Sequence, residues 1–363
     1  MEWARVETAD GVFDAGEIEH YRKMLSACRE RGIVPMVTLF HFTLPQWVAK
    51  MGGFESPAVV ARFARFCGRM AQELGPQVEL WCTENEPTVY VGAAYIVGLF
   101  PPGKKDPKAA AQVYANLILA HGQAYHAMKD AYRKLGLAAP QIGIANHLRV
   151  FDPLNQYNPV DLVMARAADQ IFNKIFFHAC ASGKAVINFW GQGYATVDAP
   201  YLKGTMDFIG VNYYSRDTVR FNPNAPGYMD LTVPHGLPVS EMGWEIYPEG
   251  LYRTLMWVKS YRKPIYITEN GISDNKGNMR RPFLRDHLVW LARAMQAGAD
   301  VRGYFHWSLM DNFEWVEGFW PRFGLYRVIY ATQERTLTDG GQYFSEVAGS
   351  NRIELPKLQN TER

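Results

Sequence analysis

The chain has 363 residues and only four cysteines, Cys28, Cys67, Cys82 and Cys180. They are scattered, with no CxxC pair and no metal-ligand spacing, so neither a redox motif nor a zinc site is spelled out. Such thiols are expected to be reduced, which implies a cytoplasmic protein. The N-terminal MEWARVETAD has no basic start followed by an apolar run, so no signal peptide is expected. No stretch is apolar for long enough to span a bilayer, and no membrane partner is expected. A charge excess is also missing. The net charge is +2, with Lys, Arg, Asp and Glu interspersed, whereas a nucleic-acid surface needs clustered Lys and Arg. Low-complexity linkers, short-period repeats and sharp shifts in composition are absent too. The expectation is therefore one domain over residues 1–363.

Aromatic residues, by contrast, are abundant, with 10 Trp, 20 Tyr and 20 Phe. They could fill a thick core or form sugar-stacking platforms, and composition does not separate the two. Short apolar runs alternate with amphipathic helices, the pattern of βα units and a parallel sheet. Asp14 and Glu17 look like a helix N-cap and its capping-box partner, with Ile18, Tyr21, Leu25 and Cys28 at helical spacing behind them. Ser56-Pro57 opens a helix that carries Val60, Phe63, Cys67, Met70 and Leu74 on one face. Asp106-Pro107 starts a long Ala-rich helix ending near Leu135, and 282–297 reads as another. Strands are expected at 34–40, 78–82, 142–146, 208–213, 265–268 and 303–307. The stretch 151–200 reads as long loops and short helices.

In parallel α/β barrels the chemistry sits at the C-terminal ends of strands. Polar residues just after an apolar run are therefore the candidates. The strand at 34–40 is followed by His41, with Pro45 and Trp47 shaping a rim. The run Trp81-Cys82-Thr83-Glu84-Asn85-Glu86-Pro87 places two carboxylates and an amide at one strand end, where burial is costly. Ile267-Thr268-Glu269-Asn270-Gly271 ends another strand in an acid and a turn-permitting glycine. Each motif alone is weak. Together, Glu86 and Glu269 at two strand ends are the carboxyl pair that glycoside hydrolysis requires, one to protonate the leaving group and one to attack or to activate water. Trp307 to Trp315 adds two Trp faces that could stack on sugars, with acids among them that could grip vicinal hydroxyls.

These residues resemble glycoside hydrolase family 1, the β-glucosidase family. FHFTLPQW, WCTENEP, DFIGVNYYSR, YITENG and GYFHWSLMDNFEW occur in family order, and the likeness runs from Trp3 to about Asn351. The resemblance implies an α/β fold of the TIM (β/α)8-barrel type and hydrolysis of terminal β-D-glucosyl residues by double displacement, with galactosyl or fucosyl as alternatives. Glu86 would be the acid/base and Glu269 the nucleophile, oriented by Tyr214. Asn85 would hold the sugar 2-hydroxyl, and Asn212 belongs with it among the sugar-binding residues. His41, Trp307, Glu314 and Trp315 would grip the non-reducing sugar, and Trp244 would stack on the leaving group. Glu314 would repel a 6-phosphate, so neutral carbohydrate or aryl and alkyl β-glycosides are the expected partners. The family needs no metal or organic cofactor.

The chain also departs from the family pattern. The first strand with its sugar-binding Gln, and the Arg of an RFS run that lies beside the nucleophile, have no counterpart; the chain opens within the second strand at Met1 to Val6. The expected fold is thus a barrel incomplete at the N-terminus. A homo-oligomeric partner could cover the exposed edge strands, or a rearranged segment could, or the gap could stay open. Loss of the Arg would raise the pKa of the nucleophile. The alternative function is accordingly a catalytically weakened or inactive sugar-binding or scaffold relative.

Overall fold

The computed structural model describes residues 1–353. The chain divides into two compact units. Residues 1–148, 166–212 and 222–229 make the first, and 149–165, 213–221 and 230–353 make the second.

In the first unit, strands Met36–Phe40 and Leu80–Asn85 pair in parallel, Met36 opposite Leu80. The strand Gln141–Pro153 follows in parallel, with Leu80 opposite Gln141. Helix Ala58–Leu74 buries Val60, Phe63, Cys67, Met70 and Leu74, the face that the 3.6-residue period selects. Each such side chain contributes roughly 1.5–3 kcal/mol on burial. Gly68 lets this helix approach helix Pro107–Lys134, because a Cβ there would sit 3.2 Å from the Cβ of Ala127. The second helix begins where expected. Asp106 Oδ1 accepts from the N–H groups of Lys108 and Ala109 at 2.9 and 3.2 Å, and Pro107 occupies the first turn, where a missing N–H costs nothing. Helix Ala15–Glu30 is capped by Asp14, which accepts from Glu17 N at 3.0 Å, while the Glu17 carboxylate lies 3.3 Å from Arg5.

Four segments differ from the sequence reading. Trp3–Val6 is a short helical turn, not strand. Its Trp3 ring stacks on Phe66 at 5.2 Å and donates to the buried Glu7, so tertiary packing overrides the local pattern. Within 151–200 there is an antiparallel hairpin, Lys184–Phe189 with Gly193–Asp198. Its period-2 pattern buries Ala185, Ile187 and Phe189 and exposes Lys184, Val186 and Asn188. The strands Gln141–Pro153 and Phe208–Phe221 also run well past their apolar openings.

The second unit is built on the parallel pair Ile265–Asn270 and Val301–His306, with helices Pro248–Val258, Arg280–Gln296 and Asp339–Ser350. Asp274 starts the helix at Arg280 by accepting from the N–H groups of Met279 and Arg280, both at 2.9 Å. No helix among the described residues is long and apolar enough to cross a membrane.

Candidate active site

The first unit holds His41, Asn85, Glu86 and Asn212 in one hydrogen-bonded group. Strand alternation would place Glu84 and Glu86 on one face and Asn85 on the other. Glu86 breaks the alternation with φ +47° and ψ 54°, a left-handed backbone that non-glycine residues seldom adopt. It holds its place through Glu86 N to Ala145 O at 2.7 Å and Tyr90 N to Glu86 O at 3.0 Å, with Pro87 opening the next helix. The outcome is that Asn85 and Glu86 converge. Asn212 Nδ2 donates to Asn85 Oδ1 at 3.1 Å and to Glu86 Oε1 at 2.9 Å. Asn85 Nδ2 lies 2.9 Å from His41 Nε2, so that nitrogen accepts and His41 is neutral. Burial pushes the His41 imidazole down to about 4, in keeping with that tautomer.

Glu84 goes the other way. It is fully buried, and neither carboxyl oxygen has a hydrogen-bond partner. Burial drives its carboxyl well above the usual range. The two acids that the sequence places at one strand end are therefore separate in environment, and Glu84 is not part of the group around Glu86.

His147 is a site residue that the sequence reading missed. Its Nδ1 lies 3.4 Å from Glu86 Oε1, and both side chains are buried. Burial pushes the Glu86 carboxyl up, His147 and the Asn212 hydrogen bond pull it down, and the balance falls below the ordinary glutamate value. The signal was available, since His147 directly follows the strand expected at 142–146 and satisfies the strand-end rule.

The second unit holds Tyr214, Trp244, Glu269, Trp307, Glu314 and Trp315. Glu269 is buried at the end of its strand, and Tyr214 donates to its Oε2 at 2.7 Å. The adjoining Asn270 anchors that strand end. It donates to Tyr213 O at 2.7 Å, accepts from Tyr304 Oη at 2.7 Å, and its carbonyl accepts from Trp307 N at 3.1 Å. Gly271 is required here, because a Cβ would lie 1.9 Å from the Trp307 carbonyl oxygen. Trp307 Nε1 donates to Glu314 Oε2 at 3.3 Å. Trp315 opens a short 3-10 turn with φ +50°. Trp244 packs its ring on Tyr214 at 5.6 Å and on Phe323 at 6.3 Å. Asp311 serves structure instead, accepting from Gly324 N at 2.9 Å and Val328 N at 3.1 Å and pairing with Arg322.

Chemically, the first group can hold a carboxyl that exchanges a proton, with an amide donor on one of its oxygens. The second can hold a carboxylate with one oxygen fixed by a phenol. Among the described residues no cluster of three His, Cys, Asp or Glu side chains could hold a metal ion.

Comparison with known proteins shows the family. The family model described as Glycosyl hydrolase family 1 matches residues 1–353. A β-galactosidase of Pyrococcus woesei is 35% identical over 96% of this chain and 75% of its own length. A β-glycosidase from Pyrococcus horikoshii superposes with a TM-score of 0.89 at 36% identity, covering 99% of this chain and 83% of that one. A family 1 β-glucosidase from Thermotoga maritima, solved in complex with isofagomine lactam, gives 0.87 at 30% identity over 97% and 82%. The fold class is accordingly α/β of the TIM-barrel type.

Proposed function

The chain belongs to glycosyl hydrolase family 1, and from that premise we propose that it is a retaining β-glycosidase that releases terminal non-reducing β-D-glucosyl residues, with Glu269 as nucleophile and Glu86 as acid/base. The observation that carries the reading is that each carboxyl is buried against an oriented donor, Tyr214 on Glu269 and Asn212 on Glu86.

In the first step one oxygen of Glu269 attacks the anomeric carbon while the other stays on Tyr214 Oη. Removing rotational freedom from the carboxylate in this way is the positional contribution to rate. Glu86 gives its proton to the departing glycosidic oxygen. In the second step Glu86, now ionised, takes a proton from water as that water attacks the glycosyl-Glu269 ester.

Binding follows from the remaining residues. Asn85 would meet the 2-hydroxyl, where a hydrogen bond strengthens as the sugar approaches its oxocarbenium-like transition state. Neutral His41 can hold hydroxyls without repelling the charge that develops on the ring. Trp307, tied to Glu314, and Trp315 would hold the far side of the sugar, and the Glu314 carboxylate disfavours a phosphorylated one. Trp244 would meet the leaving group. Neutral carbohydrates or aryl and alkyl β-glycosides are therefore the proposed substrates, and the relative solved with isofagomine lactam supports a sugar-sized ligand.

The test is hydrolysis of chromogenic aryl β-glucosides, β-galactosides and β-fucosides by the purified chain, beside Glu269→Gln. Turnover on the glucoside that is lost in the variant supports the reading. No turnover on any of the three, in protein that melts cooperatively, would contradict it and favour a sugar-binding relative.

A further inference from the structure

Around Trp244 lies an ion cluster that the reaction scheme does not use. Glu245, 3% exposed, is gripped by both arms of the Arg216 fork, Nε to Oε2 at 2.9 Å and Nη2 to Oε1 at 2.6 Å. The third nitrogen of Arg216 reaches Asp152 at 3.2 Å. Asp152 is in turn held by Arg253 through two bonds of 2.7 Å. The Arg216 guanidinium also lies 4.0 Å over the Tyr247 ring, and Tyr213 Oη donates to Tyr247 O at 2.7 Å. Two arginines thus balance two acids in a largely buried place.

The register of the strand gives this cluster its significance. Tyr214 and Arg216 are two apart on Phe208–Phe221 and share a face. Trp244 and Glu245 are neighbours on the facing loop. Tyr214 touches Trp244 while Arg216 grips Glu245, so the loop is fastened to the strand at two successive points. The loop is itself a tight turn, with Ser240 N to Trp244 O at 2.8 Å, Gly243 N to Ser240 O at 2.9 Å and Gly243 at φ +76°. Trp244 is part of this turn, which Asn275 N also ties through the Glu241 carboxylate at 2.8 Å, and the Arg216 fork holds its Glu245 end to the strand.

We infer that Arg216 and Glu245 are positioning residues for leaving-group selection, fixing the Trp244 ring relative to Tyr214 and hence to Glu269. The inference rests on the leaving-group role proposed for Trp244. Neither residue need touch the substrate. Breaking the fork would let the turn slide, so that an aromatic leaving group loses its platform while a methyl leaving group, too small to use it, loses little.

The experiment compares kcat/KM for a p-nitrophenyl and a methyl β-glucoside in the wild-type chain and in Trp244→Ala, Glu245→Gln, Arg216→Lys and Arg216→Ala. Glu245→Gln keeps shape but loses the charge-assisted bonds, and should lower the aryl-to-methyl ratio roughly tenfold, toward that of Trp244→Ala. Arg216→Lys should restore part of what Arg216→Ala loses, since an ammonium keeps the charge without the fork. Hydrolysis of the glycosyl-enzyme, read by pre-steady-state burst kinetics, should move less than the ratio. A ratio that stays at the wild-type value in Glu245→Gln and Arg216→Lys while collapsing in Trp244→Ala overturns the inference. So does an equal loss on both substrates, which would mark a merely structural cluster. A ratio unchanged in Trp244→Ala refutes the leaving-group role of that ring, and an inactive wild-type chain refutes the function itself.

Discussion

Glu84 makes a prediction that runs against the usual expectation for a native side chain, because removing it should stabilise the protein. Both oxygens are buried without partners, and the titratable groups that face it are Cys67, Tyr114 and Cys180. Burial alone raises its carboxyl, and no cation contributes. Two penalties then apply. An unpartnered buried polar group costs about 1–3 kcal/mol at any pH. In addition, the native acid stays neutral where the unfolded one, with a pKa near about 4.3, ionises. Because the native value is the raised one, the stability linked to this group is complete below the unfolded value and is lost as pH rises toward the native value. The slope is at most about 1.4 kcal/mol per pH unit, reached while the native acid is neutral and the unfolded one ionised. At roughly 2.1 cal/mol/K per residue of unfolding entropy, 363 residues in one transition convert 1 kcal/mol to about 1.3 °C. Glu84→Met should therefore melt above wild type at pH 5, and the gap should widen as pH rises toward 7, by up to about 2 °C per pH unit. Glu84→Gln should show the widening with a smaller offset, since its amide is still buried. Calorimetry over that pH range is the assay. A gap that stays flat with pH in both variants, or a Glu84→Met melting point below wild type throughout, would refute the reasoning.

Other perturbations follow from the same geometry. Tyr214→Phe removes the 2.7 Å bond to Glu269 and should lower kcat/KM on an aryl glucoside by roughly ten- to a hundredfold with little change in melting point; an unchanged kcat/KM would contradict the orienting role. His147→Gln removes the contact that does most to pull the Glu86 carboxyl down, so that carboxyl rises. The alkaline limb of the kcat/KM profile, which reports the acid in the free enzyme, should move to higher pH, and a limb that stays in place would contradict the coupling. Gly271→Ala puts a methyl 1.9 Å from the Trp307 carbonyl and should cost more than about 2 kcal/mol in denaturant titration; a stability within about 0.5 kcal/mol of wild type would show that the strand ends can separate.

Much of this was legible in the sequence because it depends on local rules. The face of Ala58–Leu74 follows from periodicity, and the starts of the helices at Ala15 and Pro107 follow from Asp14 and Asp106. Glu86 and Glu269 stand out as candidates because an acid after an apolar run is expensive and so conspicuous. What could not be read depends on facing. Nothing in TENEP tells that Glu84 turns away while Asn85 and Glu86 converge, since that rests on one left-handed residue. The strands Gln141–Pro153 and Phe208–Phe221 outrun their apolar openings because Arg149 pairs with Asp217 within the polar continuation, a long-range match invisible to a sliding window. The hairpin at 184–198 was hidden because Gly, Gln and Asn around its turn look like loop, and its alternation is short. His147 was missed although the strand-end rule covered it.

The central claim is that Glu269 attacks the sugar, and it is tested most directly by watching which anomer forms first. Proton NMR of an aryl β-glucoside reaction in its opening minutes should show β-glucose ahead of mutarotation, as double displacement requires. A 2-deoxy-2-fluoro glucosyl trap should add its mass to the peptide carrying Glu269 and to no peptide of Glu269→Gln. α-Glucose appearing first, or label found on another carboxyl, would contradict the account.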